Sequence, residues 1–497
     1  MAPKTDNEAG EIIFGDDDAT RRRGLLRAIE AKTLRRIYSS VYTSNMDSPL
    51  ESVVLRNWGA IVGFLLPDAV LAYRTAIEHR PTDGVVHVRR GLTRRRVALP
   101  GLTVVVHPGR GALSSPPDFP NKGVYLPSEA RGFVENMSTG RGVAAWVLPQ
   151  TEIEARLEKI LTIRGDFKLN DLRDQARAVA GQLGMTAQIN RLDGIIGAML
   201  GTHEKKQLRS RLALARAAGS PFDPDRVELF DALHAALASN VFAHPTDRAA
   251  RGAALDNFAF FEGYFSNYIE GTTFEVDEAE QIVFQGAIIL NRSEDSHDIL
   301  GTFQAATRSP WRNVEPKTSA EFTDWLKSVN GLVMQARQDK TPGQWKERAN
   351  QAGNTLFVLP EQVPATLREG FDRISALTDP VARALMTMFV VSEVHPFQDG
   401  NGRTARLAMN CVLSSAGLCR IIIPTIYRED YLLPLKRLTN EKGATAYVKT
   451  MTRIHDWTSR FDYELPLREI RRQLGRCNAF EEDLRNYRLT FPDGNPQ

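Results

Sequence analysis

Apolar residues dominate two neighbouring stretches of the chain, 381–394 and 404–416, and both read as helices. A third apolar stripe is formed by Phe260, Phe261, Tyr264, Phe265, Tyr268 and Ile269, a helical face that must pack on something. Tyr447, Met451, Ile454 and Trp457 repeat at helical spacing within 444–461 and predict a core helix. Residues 152–160 and 169–183 predict two more helices. The pattern changes near the N-terminus, where 85–88 and 103–107 are rich in valine and read as strands. A helix carrying Ala69, Tyr73, Ala76 and Ile77 is predicted before them. The chain is therefore expected to be mostly α, with a small α/β or α+β module at 20–150.

Length and composition refine this picture. A chain of 497 residues predicts two or three domains. The expected division is an acidic, disordered tail at 1–19, the module at 20–150, and a helical connecting region at 151–250 that buttresses the domain after it. That domain, expected to be catalytic, spans 251–465, and a helical tail is expected at 466–497. Net charge is only +3, yet residues 20–150 hold 19 Lys and Arg against nine Asp and Glu. No run of 18 apolar residues and no signal layout is visible, so no membrane span and a cytoplasmic location are expected. Three scattered cysteines show no metal-ligand spacing and suit a reducing compartment.

The candidate chemistry lies between the two apolar helices, in His-Pro-Phe-Gln-Asp-Gly-Asn-Gly-Arg-Thr-Ala-Arg, residues 395–406. His395 can take a proton near neutral pH. Asp399 is a hard oxygen ligand of the kind Mg²⁺ uses beside waters and phosphates. Gly400, Asn401 and Gly402 form a turn able to aim backbone N–H groups into one concavity. The helix that starts there adds unpaired N–H groups and partial positive charge, making an anion cradle. Arg403 and Arg406 offer planar, permanently charged forks to phosphate oxygens.

These twelve residues resemble the Fic family motif, His-Pro-Phe-x-(Asp/Glu)-Gly-Asn-Gly-Arg-x-x-Arg, at every fixed position. The resemblance implies a Fic-type helical domain that transfers AMP from ATP to a Ser, Thr or Tyr hydroxyl of a target protein. In that scheme His395 is the general base and Asp399 holds Mg²⁺. Gly400, Asn401, Gly402 and Arg403 cradle the phosphates, Arg406 meets the γ-phosphate, and Phe397 anchors the loop. Doc kinases of the same superfamily carry lysine at the position of Gly402, so the glycine favours AMP transfer. The family also places a β-hairpin flap where Gly353-Asn354-Thr355 separates two short extended runs. Asn440 lies where relatives line an adenine pocket.

Ser266 and Glu270 share a helix face, and Gly271 is a natural stop. An acidic residue at a helix C-terminus opposes the macrodipole and asks for a cationic partner. Ser-x-x-x-Glu-Gly resembles the inhibitory motif of Fic proteins whose brake precedes the core, which implies that Glu270 pairs with Arg406 and denies it to the γ-phosphate. The same resemblance implies an alternative, Glu270 aligning a water that removes AMP. A further alternative is a non-enzymatic, nucleotide-sensing DNA-binding regulator. Residues 20–150 loosely resemble AbiEi-type antitoxin and regulator domains, and their arginine clusters suit nucleic-acid phosphates or a docking surface. A homodimer is left open.

Overall fold

The computed structural model describes residues 10–15, 18–353 and 355–492. The chain divides into two compact units, Met1–Ala218 and Gly219–Gln497. Eighteen α-helices occur among the described residues, and the expectation of a mostly helical chain with an N-terminal α/β module holds. No helix among the described residues is long and apolar enough to cross a membrane.

The first unit opens with β1 (Ile12–Phe14), α1 (Ala19–Glu30), β2 (Arg35–Tyr38) and β3 (Val41–Thr43), whose strands make an antiparallel sheet in the order β1-β3-β2. Next come α2 (Leu50–Leu65), β4 (Val70–Leu71), α3 (Tyr73–Glu78), β5 (Val85–Arg89), β6 (Arg95–Leu99), β7 (Leu102–His107), β8 (Phe119–Asn121) and β9 (Val124–Leu126). These six later strands form a mixed sheet in the order β6-β7-β5-β4-β9-β8. The neighbours β5 and β7 are parallel, with Val86 opposite Val104 and Val88 opposite Val106. All four valines are buried, which is why the segment reads as an unbroken apolar run. The unit closes with α4 (Glu129–Asn136), α5 (Gln150–Leu183), α6 (Thr186–Met199) and α7 (Arg211–Ala217).

Four expectations change here. Of the supposed tail 1–19, residues 1–9, 16 and 17 lie outside the described residues, but Ile12–Phe14 is a strand. Ile12 packs into the core of the module while the backbone pairs with β3. The helix expected from Ala69 starts only at Tyr73, because Val70 and Leu71 pair with β5 and β9 instead. The arginine-rich stretch between the two predicted strands contains a strand of its own, β6, whose Val97 and Leu99 face the core. Finally, 151–250 is not one buttress. Helices α5 to α7 bury Ile153, Leu157, Leu172, Ile196 and Ala213 with Phe133 and Val134 of α4, within the first unit. The two helices predicted in this stretch run on across a break at Gly165, where φ is 74° and ψ 174°.

Several arginines of the basic module are committed internally. Fully buried Arg131 pairs with Asp118 at 2.5 Å and Glu135 at 3.1 Å, and Arg89 pairs with Glu135 at 2.9 Å. Beside them His87 Nδ1 meets His107 Nε2 at 3.1 Å, under the rings of Tyr73 and Trp146.

The second unit contains α8 (Pro224–Ala238), α9 (Gly252–Ile269), α10 (Val276–Gln285), α11 (Ser293–Thr307), α12 (Ser319–Val333), a hairpin of β10 (Gln351–Ala352) and β11 (Thr355–Leu356), α13 (Val363–Ala376), α14 (Pro380–Val394), α15 (Asn401–Ser415), α16 (Arg428–Glu441), α17 (Ala444–Ser459) and α18 (Leu467–Arg476). Helices α14 and α15 form its centre, packed side by side and flanked by α8, α9, α11, α12 and α13. The predicted hairpin is present as an antiparallel pair; Asn354 at its tip lies outside the described residues. After α18 the chain returns to lay Phe480 against Phe261, Tyr264 and Phe265 of α9.

The histidine pair makes the first unit acid-sensitive. Burial, with help from nearby arginines, lowers His87 to about 4. Burial, His87 and nearby arginines lower His107 to about 3. The unfolded chain takes up protons near the ordinary value of 6.5, before the folded unit does. Stability therefore falls as pH drops from about 6.5 toward 4. Urea midpoints at pH 7 and pH 4.5 are expected to differ more for the wild-type chain than for His107→Phe.

Candidate active site

Helix α14 begins at Pro380, preceded by Asp379, whose side chain accepts from Val381 N at 2.8 Å and Ala382 N at 3.0 Å. It ends at Val394, and the next residue, His395, turns the chain in the left-handed conformation (φ 49°, ψ 59°). That conformation is uncommon outside glycine, so the surroundings must hold it. Asn401 closes the turn from the other end: its Oδ1 accepts from Phe397 N at 2.8 Å and its Nδ2 donates to Phe397 O at 2.9 Å. Phe397 is fully buried. Gly400 is left-handed (φ 75°), and a Cβ there would stand 2.7 Å from Met334 Sδ and 2.9 Å from Asn330 Nδ2. Both constraints demand glycine. Helix α15 then starts at Asn401, so the N–H groups of its first turn have no partner within the helix.

His395 is half-buried and stacks on Phe357 of the hairpin, centroids 3.8 Å apart and planes 6° from parallel. Its Nδ1 lies 3.3 Å from the Ser392 carbonyl oxygen. A carbonyl only accepts, so Nδ1 carries the proton and Nε2 keeps its lone pair. Burial lowers the imidazole to about 4, opposed by the Ser392 carbonyl and helped by the Lys346 cation. The ring is therefore neutral at pH 7, as a proton acceptor must be.

The Asp399 side chain is 42% exposed. Its Oδ1 accepts from Gly400 N at 2.6 Å, and its carbonyl accepts from Asn330 Nδ2 at 3.0 Å. Arg403 is turned inward. Its Nη1 donates to Asp298 Oδ2 at 2.6 Å and to Asn267 Oδ1 at 3.2 Å, and the same Asp298 oxygen takes Arg337 Nε at 2.8 Å. The guanidinium thus braces α15 against α9 and α11.

Arg406 is buried and occupied. Its Nε donates to Ser266 Oγ at 2.9 Å; its Nη2 donates to Ser266 O at 2.9 Å and to Glu270 Oε1 at 2.7 Å. Glu270 is the C-cap of α9, so its carboxylate meets the unfavourable end of that helix dipole, and Arg406 compensates. Burial raises the Glu270 carboxyl, but Arg406, then Arg403 and His395, outweigh it and the net shift is downward. Gly271 follows in a left-handed turn (φ 90°). Gly402 faces this pair: a Cβ at 402 would overlap Glu270 Oε1.

The fold thus brings His395, Asp399, Gly400, Asn401, Gly402, Arg403 and Arg406 together with Ser266 and Glu270. Asn440 sits apart on the exposed face of the last turn of α16, one residue after Thr439, which hydrogen-bonds buried Glu393. The sequence reading missed Asn267, Asp298, Asn330, Lys346, Asn350 and Phe357, all of which touch the motif or the residues that hold it. Asn350 Nδ2 donates to Phe397 O at 3.0 Å, and Lys346 N donates to Pro396 O at 2.9 Å. No group of three or more His, Cys, Asp or Glu poised for a metal occurs among the described residues, so a cation here would lean on Asp399 and on its substrate.

Known proteins carry the same segment. Residues 321–413 match the model of the Fic/DOC family, a span from α12 to α15 that includes the whole motif. The chain is 29% identical over 199 residues to protein adenylyltransferase fic-1 of Caenorhabditis elegans, covering 39% of each protein. It is 29% identical over 234 residues to protein adenylyltransferase Fic of Drosophila erecta, covering 46% of each. The chain thus spans less than half the length of these curated relatives. Among solved structures, a Caenorhabditis elegans Fic-1 fragment aligns with 66% of this chain and 99% of its own at 17% identity and a TM-score of 0.35. A Fic-domain signalling protein of Bacteroides thetaiotaomicron aligns with 50% and 95% at 22% identity and a TM-score of 0.35. The chain carries a Fic/DOC domain.

Asp298 is wholly buried between two arginines. Asp298→Ala would leave Arg403 and Arg337 without their shared carboxylate, at a cost of about 3–5 kcal/mol. A lowered denaturation midpoint of the second unit, read from its tryptophans, is the expected result.

Proposed function

We propose, from a Fic/DOC domain at residues 321–413 as premise, that the chain is an autoinhibited protein adenylyltransferase. The observation that carries this reading is a neutral imidazole at His395, with Nε2 unprotonated, placed four residues before Asp399 and at the mouth of α15. A Ser, Thr or Tyr hydroxyl of a target protein would give its proton to Nε2 as its oxygen attacks the α-phosphorus of ATP. The bond to the β-phosphate oxygen breaks and pyrophosphate leaves. Free N–H groups at the start of α15 favour the negative charge that builds up.

Asp399 fits Mg²⁺: it is a single accessible carboxylate beside a phosphate cradle, and Mg²⁺ takes one or two carboxylates with phosphates and waters. Such an ion would neutralise phosphate charge. The remaining work belongs to position. The hairpin β10–β11 offers an exposed edge for the target backbone, with Leu356 at 54% exposure. Asn440 is proposed as an adenine contact on the resemblance alone.

Autoinhibition follows from occupancy. Arg406 gives its outer Nη2 to Glu270 and Ser266, and one such group cannot serve a carboxylate and a γ-phosphate together. Parting the pair leaves a partly buried carboxylate without its cation, at about 3 kcal/mol.

Three outcomes are expected with α-labelled ATP and a lysate or the chain itself as acceptor. Glu270→Gly raises labelling by up to about 100-fold, the rate equivalent of about 3 kcal/mol. Adding His395→Ala abolishes it. In the Glu270→Gly chain, kcat/KM falls as pH drops below about 4, where the free-enzyme imidazole gains its proton. Absence of labelling in Glu270→Gly would sink the enzymatic reading.

A further inference from the structure

Lys346 is buried, at 2% exposure, immediately behind the turn that carries His395. Its Nζ donates to Asn350 Oδ1 at 2.6 Å and, more distantly, to Val394 O at 3.4 Å. The third direction faces the Phe357 ring, 6.0 Å to the centroid. That ring is the one stacked on the imidazole. The same segment also binds the turn through its backbone and neighbour: Lys346 N to Pro396 O, and Asn350 Nδ2 to Phe397 O. Asn350 O in turn accepts from Phe357 N at 3.1 Å. Three carbonyls of the turn, 394, 396 and 397, are therefore held from one side by residues 346–350.

Val394 is the last residue of α14, so its carbonyl belongs to the electronegative helix end, where a cation is favourable. An amide oxygen, a carbonyl oxygen and a π face all accept. They match three N–H donors of an ammonium and offer nothing to the lone pair of a neutral amine.

We propose that Lys346 is a positioning residue for His395: its ammonium caps the end of α14 and, with Asn350 and Phe357, fixes the left-handed turn that presents the imidazole. The inference rests on the adenylyltransferase reading for its kinetic arm only. The charge is held against opposition. Burial, then Arg226, lowers the amine to about 7; Arg226 itself faces Glu393 at 3.4 Å. The charged groups that act on His395 are Lys346, Glu270 and Asp399. Folded, the amine loses its proton near neutrality rather than near 10.5, so the cap is strongest below about pH 7 and weakens as pH rises through it.

The kinetic experiment uses the full chain carrying Glu270→Gly. Lys346→Met is expected to lower kcat about tenfold or more while KM for ATP changes less than about threefold, since the amine is buried behind the turn and engaged by Asn350 and Val394. Lys346→Arg, permanently charged, restores most of kcat and removes a decline of about two- to fivefold above pH 7, the rate equivalent of a helix-end charge. Unchanged kcat in Lys346→Met, or a loss carried by KM, overturns the proposal. A second arm needs no activity. In the wild-type chain labelled with ¹³C at histidine Cε1, and with His395→Gln as assignment control, the His395 signal is expected to show an inflection near pH 7 besides its own near pH 4. A flat signal from pH 6 to 9 overturns the proposal even if Lys346→Met fails to fold. A silent Glu270→Gly chain with the inflection present counts against the enzymatic reading and leaves Lys346 in place.

Discussion

One guanidinium organises the second unit. Arg406 is almost wholly enclosed, so its charge must be answered inside the protein. The answer comes from α9, through the hydroxyl and carbonyl of Ser266 and the carboxylate of Glu270. That requirement fixes how α9 lies on α15. The aromatic stripe of α9 then finds its place, with Phe480 covering Phe261, Tyr264 and Phe265. A second guanidinium, Arg403, repeats the device one turn earlier with Asp298 and Asn267. Two arginines three residues apart therefore have different fates. One is committed to structure through Asp298 and Asn267, and the other is held by a partner whose side chain is 30% exposed.

The motif was legible because its chemistry is contiguous. Twelve neighbouring residues hold the base, the carboxylate, the turn and both arginines, and local rules suffice to place them on a turn between two helices. The link from Glu270 to Arg406 crosses 136 residues; spacing supplied only the hint of an acid at a helix end in need of a cation, and the resemblance supplied the partner. Nothing local distinguishes Asp298 from a surface aspartate on an amphipathic helix, or Lys346 from a solvated lysine. Their roles arise from burial, which tertiary packing decides. The same holds in the first unit. Arginines 94–96 disguised β6 because its polar start resembles a loop, while only Val97 and Leu99 reach the core. The acidic surroundings of Ile12 hid β1 in the same way. The stretch 151–250 reads as helical and both helices placed within it fall in α5, but the allegiance of α5 to α7 to α4 depends on which apolar face meets which, a matter that periodicity leaves open.

The environment of His395 ties acid–base behaviour to architecture. Its Nδ1 is spent on a carbonyl of its own helix, which selects the tautomer. Its face is spent on Phe357, which links the imidazole to the segment of the hairpin. Movement of that hairpin and orientation of the base are thus coupled through one ring stack, without any long relay between them.

The bare Cα of Gly402 carries a consequence for how this chain could diversify. The volume that a methyl group would need at 402 is already taken by an oxygen of Glu270, and the first-turn N–H groups of α15 open onto the same place. In the proposed reading, restraint and turnover would therefore share this one place at the helix mouth. Any side chain added there disturbs both together, so a lineage seeking to loosen one without harming the other must change the visitor from α9 and leave the host position empty.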